Sequence, residues 1–218
     1  MDGSGIGEAD SLDVTMVDKP SSPKDPAMEP LRFPANKRST QARVFDIIKA
    51  RSFRRGKFTL VSGKTSDYYL DLKPTMFDPE GATLLATLIL EHIAKIKVDC
   101  IGGLAMGAVP LIATVNVVSF TQSRPLPGFF VRKAVKDHGT RRRVEGSADL
   151  MGKSVVILDD VTTTGGSAME AVSAAREAGA NVVLVLSVVD REEGATEFYQ
   201  KEGIPFAALF TASEFLRD

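Results

Sequence analysis

Short apolar runs alternate with helical patterns through most of this sequence, and this alternation limits the folds open to the chain. The predicted strands cover 98–104, 128–133, 154–158, 182–189 and 206–210, and the predicted helices cover 109–118, 166–178 and 193–202. Strands that are apolar on both sides have to be covered on both sides, which a parallel sheet with crossover helices achieves. The sequence therefore predicts an α/β fold, with a Rossmann-like parallel sheet flanked by helices. Ligands of such sheets bind beyond the carboxyl ends of the strands, so functional residues are expected in the loops there.

The first third of the chain has other patterns. Residues 40–51 have the apolar spacing of a helix, and residues 57–71 predict two strands joined by a turn at Ser62-Gly63. A longer amphipathic helix follows, with one apolar face formed by Leu84, Leu85, Leu88, Ile89, Ile93 and Ile96. Residues 1–37 are rich in glycine, proline and acids, and their few apolar residues cannot offset the entropy of ordering. We therefore expect a disordered tail over 1–37.

Composition excludes several classes of function. The 218 residues hold 27 Lys plus Arg against 28 Asp plus Glu, so no whole-protein field attracts nucleic acid or an acidic membrane. A single cysteine, Cys100, excludes an internal disulfide framework, and two histidines argue against a histidine-rich metal site. The longest apolar runs are too short to span a bilayer. We expect a cytoplasmic protein that has neither nucleic acid nor membrane as a partner.

The stretch from Val155 to Ser167 carries the strongest chemical signal. An apolar strand leads to two adjacent carboxylates, Asp159 and Asp160, then to a loop of hydroxyls and glycines, and then to a helix. A helix start offers unpaired N–H groups and the positive end of the helix dipole, which together bind an anion. The loop lacks a lysine, which favours a single terminal phosphate over a triphosphate. Since carboxylates accept hydrogen bonds from ribose hydroxyls, the stretch predicts a site for ribose 5-phosphate.

Two competing phosphate motifs and a simple capped turn fit the residues less well. Residues 152–154 (Gly-Lys-Ser) resemble the end of a P-loop, but the earlier glycine of that motif would fall on Ser147, and a strand follows instead of a helix. Gly102, Gly103 and Gly107 lack the spacing of a dinucleotide fingerprint. An ordinary strand-to-helix turn capped by aspartate would account for one Asp and one Thr, but not for the whole string.

A basic loop, residues 130–146, follows another predicted strand. It contains six Lys or Arg against two acids in a chain that is otherwise balanced. Such a loop can close over a polyphosphate, exclude water and neutralise a leaving group. Arg132 offers a planar fork for phosphate, Lys133 and Lys136 act as point charges, and His138 is a candidate donor of a proton or a hydrogen bond. A solvated charged loop and an RNA-binding patch are alternatives, and the first is favoured for 141–143 taken alone.

Three stretches resemble known enzymes. The string Asp159 to Ser167 resembles the phosphoribosyl pyrophosphate (PRPP) motif of type I phosphoribosyltransferases. The string Arg-Lys-x-x-Lys-x-His-Gly from Arg132 resembles the catalytic loop of orotate phosphoribosyltransferases, and residues 58–71 resemble the segment that lies over orotate in that family. The resemblance covers roughly 41–217. It implies a phosphoribosyltransferase domain over 38–218, with a small N-terminal hood (about 38–80) and a core (about 81–218).

The resemblance also implies an activity and a set of site residues. The activity is transfer of ribose 5-phosphate from PRPP to orotate, which gives orotidine 5′-monophosphate and pyrophosphate in de novo pyrimidine (UMP) biosynthesis. Catalytic roles are implied for Lys136, His138, Asp159 and Asp160. The implied PRPP ligands are Arg132, Lys133, Lys136, His138, Asp159, Asp160, Val161, Thr162, Thr163, Thr164, Gly165, Gly166 and Ser167, and the implied orotate ligands are Tyr69, Leu70, Thr163 and Arg191. Mg²⁺ is expected to bind mainly through PRPP with no protein metal ligand, and a homodimer is expected to share the catalytic loop between subunits.

Two positions depart from the family pattern. Many members carry a lysine where this chain has Val61, and a second lysine after the third strand, where this chain has Gly107. Both lysines contact PRPP in those relatives, and Lys64 is a candidate to compensate in part. Two other functions stay open: a type I phosphoribosyltransferase that uses a purine or uracil, and a PRPP-sensing regulator that binds nucleic acid. Arg191 favours a base that carries a carboxylate.

Overall fold

Helices and a hairpin form the N-terminal part of the fold. The computed structural model describes residues 39–59, 65–133, 143–146 and 149–217. The elements of this part are α1 (Thr40–Arg51), β1 (Phe53–Thr59), β2 (Thr65–Leu70), α2 (Lys73–Met76) and α3 (Pro79–His92). β1 and β2 pair in antiparallel fashion, with Phe53 opposite Leu70. The helix predicted over 40–51 and the strand pair are confirmed, while the expected tail over 1–37 and the turn at Ser62-Gly63 lie outside the described residues.

A parallel sheet forms the rest of the fold. Its elements are β3 (Cys100–Gly103), α4 (Val109–Thr121), β4 (Phe129–Val131), β5 (Val144–Gly146), β6 (Ser154–Thr162), α5 (Gly166–Glu177), β7 (Asn181–Asp190), α6 (Ala195–Lys201), β8 (Phe206–Thr211) and α7 (Ala212–Leu216). Strands β3, β6, β7 and β8 are neighbours in that order, and all of them are parallel. β4 lies beside β3 through two parallel bridges, at Gly128 and Val131. The predicted α/β fold is confirmed.

The strand order places a crevice at a defined point of the sheet. From β3 the chain moves to β4 on one side, and it then returns across β3 to β6, β7 and β8 on the other. The connections that follow β3 and β6 therefore diverge, and such a switch point is where open α/β sheets bind their ligands. The loop after β3 and the hydroxyl-rich loop after β6 flank this point.

Two boundaries differ from the sequence prediction. β6 does not end at Leu158 but continues through the acidic pair, because Asp159 pairs with Ser187 and Thr162 pairs with Asp190 on β7. Residues 144–146, predicted as loop, form β5, which pairs with β4 in antiparallel fashion and closes the base of the basic loop.

One apolar core joins the hood to the sheet. Phe45 of α1 stacks on Phe215 of α7 with ring centroids 4.5 Å apart, and Phe53 of β1 lies 5.7 Å from the same ring. Phe210 of β8 completes this aromatic cluster. Within the described ranges, no helix is both long and apolar enough to cross a membrane.

Candidate active site

A polar recess lies at the start of α5, on the β6 side of the switch point. It measures about 400 Å³, and its walls are formed by Asp159, Val161, Thr163, Thr164, Gly165, Gly166, Ser167 and Glu170. The residue before the helix, Gly165, has a left-handed backbone with φ +89° and offers no side chain to cap the first N–H groups. The first turn of α5 carries no acidic side chain. The recess therefore presents free backbone donors and the positive end of a helix to a small anion.

Asp159 lies in the wall of this recess, but most of it is buried. Its carboxylate is held by the Thr162 hydroxyl, which lies 2.6 Å from Asp159 Oδ2 and 2.9 Å from Ser187 Oγ. Burial raises the pKa of Asp159 to about 6, although the Thr162 hydrogen bond and the nearby charge of Lys133 act in the opposite direction. The Thr162 side chain is therefore committed to the interior and does not reach the recess, whereas those of Thr163, Thr164 and Ser167 line it.

Asp160 faces the loop that follows β3. A Cβ atom on Gly107 would lie 2.7 Å from Asp160 Oδ1, so a side chain at position 107 has no room unless Asp160 moves. This contact gives a physical reason for glycine where many relatives carry a lysine. Burial raises the pKa of Asp160, and the charge of Lys73 opposes that effect.

Lys73 supplies positive charge beside Asp160, which the sequence does not indicate. Its Nζ donates to Asp71 Oδ1 at 3.0 Å, and its backbone N–H donates to the same oxygen at 3.0 Å. The pair lies where the hairpin leads into α2, so the cation comes from the hood. Lys64, the candidate for compensation, lies outside the described residues, as does Val61.

The base of the basic loop is fixed next to the recess. The backbone N–H of Arg132 donates to the Arg143 carbonyl at 2.9 Å, and Arg143 Nη2 donates to Glu170 Oε2 at 3.3 Å. Arg132 Nη1 lies 3.4 Å from Glu145 Oε1. Arg143, for which the sequence favours a solvated surface role, instead links the loop base to α5. Lys136 and His138 lie outside the described residues.

Arg191 lies at the end of β7, under the hairpin. Its side chain is 8% exposed, and its Nε donates to Glu193 Oε1 at 2.7 Å. The guanidinium stacks over the Tyr68 ring at 4.7 Å, and Nη2 donates to Ser66 Oγ at 3.4 Å. The backbone N–H of Arg191 donates to the Thr162 carbonyl at 2.9 Å, so the ends of β6 and β7 are joined.

Two other predicted orotate ligands, Tyr69 and Leu70, lie in different surroundings. Leu70 is buried in the core opposite Phe53, so its side chain does not face a ligand. Tyr69 is exposed, and its hydroxyl lies 3.5 Å from Asp71 Oδ2. Tyr68, which is not among the predicted ligands, is the tyrosine that stacks on Arg191. Alternation along β2 accounts for the difference, because neighbouring residues of a strand point to opposite faces.

Fold and site together define a type I phosphoribosyltransferase, with a polar recess and strand-end carboxylates at the switch point of a parallel sheet. Residues 76–204 match the family model of the phosphoribosyl transferase domain. The chain is 55% identical over 184 residues to the orotate phosphoribosyltransferase of Rhodopseudomonas palustris strain TIE-1, across 83% of this chain and 98% of that relative.

Solved structures agree with this assignment. The crystal structure of Mycobacterium tuberculosis H37Rv orotate phosphoribosyltransferase with Fe(III) dicitrate has a TM-score of 0.73 and 33% identity, over 81% of this chain and 99% of that one. The same enzyme in complex with PRPP has a TM-score of 0.69 and 30% identity, over 82% of this chain and 100% of that one. The chain belongs to the phosphoribosyltransferase family and, within it, to the orotate phosphoribosyltransferases.

Proposed function

We propose that this chain transfers the 5-phosphoribosyl group of PRPP to orotate, which yields orotidine 5′-monophosphate and pyrophosphate, a step of de novo pyrimidine biosynthesis. The observation that carries the proposal is the recess at the start of α5, between two strand-end carboxylates and the base of a basic loop, in a chain of this family. In the reaction, the bond between ribose C1 and the pyrophosphate oxygen breaks. A bond from an orotate ring nitrogen to C1 forms, and that nitrogen gives up its proton.

The 5-phosphate is assigned to the recess. The residues Thr163, Thr164, Gly166 and Ser167 offer hydroxyl and backbone donors there, and Val161 and Gly165 complete the wall. Donors that are fixed before the substrate arrives lose little freedom when it binds, so a phosphate held here anchors the ribose in one orientation.

The ribose hydroxyls are assigned to Asp159 and Asp160. Both carboxylates lie at the end of β6, and both are partly removed from water, which strengthens their hydrogen bonds to a diol. Negative charge near C1 also stabilises the oxocarbenium character that develops when the leaving group departs, as in glycoside chemistry. Catalysis in this site is mainly positioning and electrostatics.

The departing pyrophosphate is assigned to the basic loop. Arg132 and Lys133 leave β4 at the site, and the charge of Lys133 acts on Asp159. Lys136 and His138 are proposed to act in the same way, with the histidine donating a proton or a hydrogen bond. The carboxylate of orotate is assigned to Arg191, whose orientation Tyr68 and Glu193 fix.

Mg²⁺ is proposed to accompany PRPP and to be held mainly by PRPP oxygens and water. This cation prefers hard oxygen ligands and usually keeps several waters beside the phosphates of its substrate, so the proposal needs no protein metal ligand. An ion held in this way would shield the negative charge of the pyrophosphate. We expect a chelator to abolish turnover and added Mg²⁺ to restore it, and full activity in excess chelator would contradict this part of the proposal.

A homodimer is proposed, with the outer face of α4 as its contact surface. Val117 and Phe120 are 65% and 72% exposed and form one stripe at helical spacing with the exposed Ala113, and Met106, in the turn before α4, is 77% exposed. A helix that is apolar on every face is normally covered, and a second copy of the chain offers a matching stripe. Sedimentation should show a dimer that Phe120→Glu dissociates, while a monomer at all concentrations would contradict it.

Sharing of the loop between subunits has its own test. Asp160→Asn and Lys136→Ala proteins, each inactive alone, are mixed under conditions that exchange subunits. A loop that acts across the dimer gives roughly a quarter of wild-type activity on mixing, because half of the dimers are hybrids with one intact site each. Confirmed exchange without recovery would place each site within one chain.

The test of the function is a spectrophotometric assay. The protein, PRPP and Mg²⁺ are mixed with orotate, uracil, hypoxanthine or adenine, and pyrophosphate release is measured in parallel. We expect turnover with orotate alone, since a neutral base leaves the guanidinium of Arg191 without an anionic substrate group. Turnover with uracil or a purine would favour another phosphoribosyltransferase. Tight, salt-dependent RNA binding without turnover would favour a regulator.

A cytoplasmic location is part of the proposal and is tested by cell fractionation.

A further inference from the structure

A buried tyrosine contacts the phosphate recess from behind. Tyr199 of α6 is fully buried and is not part of the recess wall. Its hydroxyl donates to the Gly165 carbonyl at 2.8 Å, across the interior from α6 to the start of α5. The ring is held by stacking on Phe206 at 4.9 Å and by an edge contact with Phe198 at 5.2 Å. The hydroxyl is thus presented by a rigid aromatic cluster.

The bonded carbonyl controls the direction of a donor in the recess. In a trans peptide the C=O and the N–H point in opposite directions, so a Gly165 carbonyl directed into the protein turns the Gly166 N–H outward, toward the recess. The same carbonyl also accepts the first helical hydrogen bond, from Met169 N at 3.0 Å. Both of its acceptor positions are therefore used.

The peptide between Gly165 and Gly166 needs such a restraint. A 180° flip of this peptide changes ψ of Gly165 and φ of Gly166, and glycine tolerates both signs of φ. A Cβ on Gly165 would lie 2.8 Å from Phe198 Cδ1 and 2.9 Å from Tyr199 Cε2, so position 165 has to stay glycine. A Cβ on Gly166 meets nothing within 4 Å, so packing does not hold that residue.

We propose that Tyr199 is a positioning residue, whose hydroxyl locks the Gly165–Gly166 peptide with the Gly166 N–H aimed at the 5-phosphate of PRPP. The inference rests on the proposed function for the identity of the ligand. A flipped peptide would turn a carbonyl oxygen toward the phosphate and leave the buried hydroxyl unpaired, and both changes are unfavourable. Burial raises the pKa of Tyr199, and the charge of Asp159 acts in the same direction, so the hydroxyl stays a donor at neutral pH.

The first test removes the hydroxyl and keeps the ring. For Tyr199→Phe we expect PRPP affinity to fall roughly 3- to 10-fold, as for loss of one buried hydrogen bond, with kcat at saturating PRPP within about twofold of wild type. PRPP binding is measured by calorimetry without orotate, so the result does not depend on turnover. The control is Ser119→Ala on α4, which removes a buried hydroxyl that accepts a hydrogen bond from Leu126 N at 3.0 Å. This control should leave PRPP affinity unchanged.

The second test asks for rescue. Gly166→Ala keeps the N–H but disfavours the positive φ that the flipped peptide needs. In the Gly166→Ala background, Tyr199→Phe should change PRPP affinity by less than about twofold. An equal loss in both backgrounds would mean that the tyrosine acts through general packing, and unchanged affinity in Tyr199→Phe would also overturn the proposal.

The third test measures hydrogen exchange in the wild-type protein. PRPP binding should slow hydrogen exchange at the Gly166 amide, because the phosphate accepts its hydrogen bond. Absence of that protection in a protein that binds PRPP overturns the inference. A wild-type protein that binds PRPP and shows protection at Gly166, but does not convert orotate, would instead contradict the proposed function.

Discussion

Replacing Asp159 by asparagine should stabilise the protein while it damages the site. The carboxylate is 8% exposed, and burial raises its pKa from the ordinary 3.8 to about 6. This change corresponds to roughly 3 kcal/mol of folding free energy that is lost at neutral pH, where the folded protein has to hold an ionised group away from water. The stability that comes from the protonated carboxyl is fully present below pH 3.8 and is lost as the pH rises through about 6. Asparagine keeps the shape and can still accept the Thr162 hydrogen bond, but it carries no charge.

The assay is urea unfolding of wild type and Asp159→Asn at a series of pH values. We expect equal stability near pH 4, and an advantage of about 3 kcal/mol for the variant at pH 7.5, or roughly 6–12 °C in Tm. The same variant should lose about 10- to 100-fold in kcat/KM for PRPP, because it replaces a charged acceptor by a neutral one. Glu91→Gln, on the exposed surface of α3, is the control without a buried charge. A stability difference that does not vary with pH would refute the reasoning.

Three further substitutions test other parts of the site. Gly107→Ala places a Cβ 2.7 Å from the Asp160 carboxylate, so PRPP titrations should give a KM roughly tenfold higher, with stability changed by less than about 1 kcal/mol; an unchanged KM would mean that Asp160 does not bind the substrate. Arg191→Lys keeps the charge and loses the planar fork over Tyr68, so the KM for orotate should rise about tenfold while that for PRPP stays constant, and equal changes in both would contradict the assignment. Lys136→Ala should lower kcat roughly 100-fold or more and leave orotate binding intact, because the charge that it meets develops in the transition state; an unchanged kcat would remove the residue from the mechanism.

Most of the fold could be predicted because its elements are long and periodic. The helix over 40–51 and the alternation of strands and helices after residue 98 follow from apolar spacing alone. The short elements could not be found in this way. α2 (Lys73–Met76) and β5 (Val144–Gly146) are too short to show a period, and each is fixed by partners distant in sequence: the Thr75 hydroxyl bonds to Ser52 at 2.7 Å, and β5 pairs with β4. The end of β6 also lies later than apolar spacing predicts, since pairing with β7 continues the strand past its apolar residues.

The sequence locates the site, but it does not show which way each side chain of the site points. The string from Asp159 to Ser167 predicted a site beyond the end of a strand, and a polar recess lined by most of these residues lies there, while its use for phosphate stays a prediction. That Thr162 turns inward, and that Asp160 faces the loop after β3, depends on strand alternation and on the partners Ser187 and Gly107. Such contacts join residues far apart in the sequence, and composition and spacing contain no signal for them.

The aromatic cluster between α1 and α7 can form only late in the synthesis of this protein. The rings that cover Phe45 and Phe53 belong to Phe210 and Phe215, on the last described strand and helix. A ribosome makes these partners more than a hundred residues after α1, so the rings of Phe45 and Phe53 lack them through most of translation. Contacts between residues this distant in sequence slow folding. Until these contacts form, the exposed apolar surface of the nascent chain favours aggregation or chaperone binding.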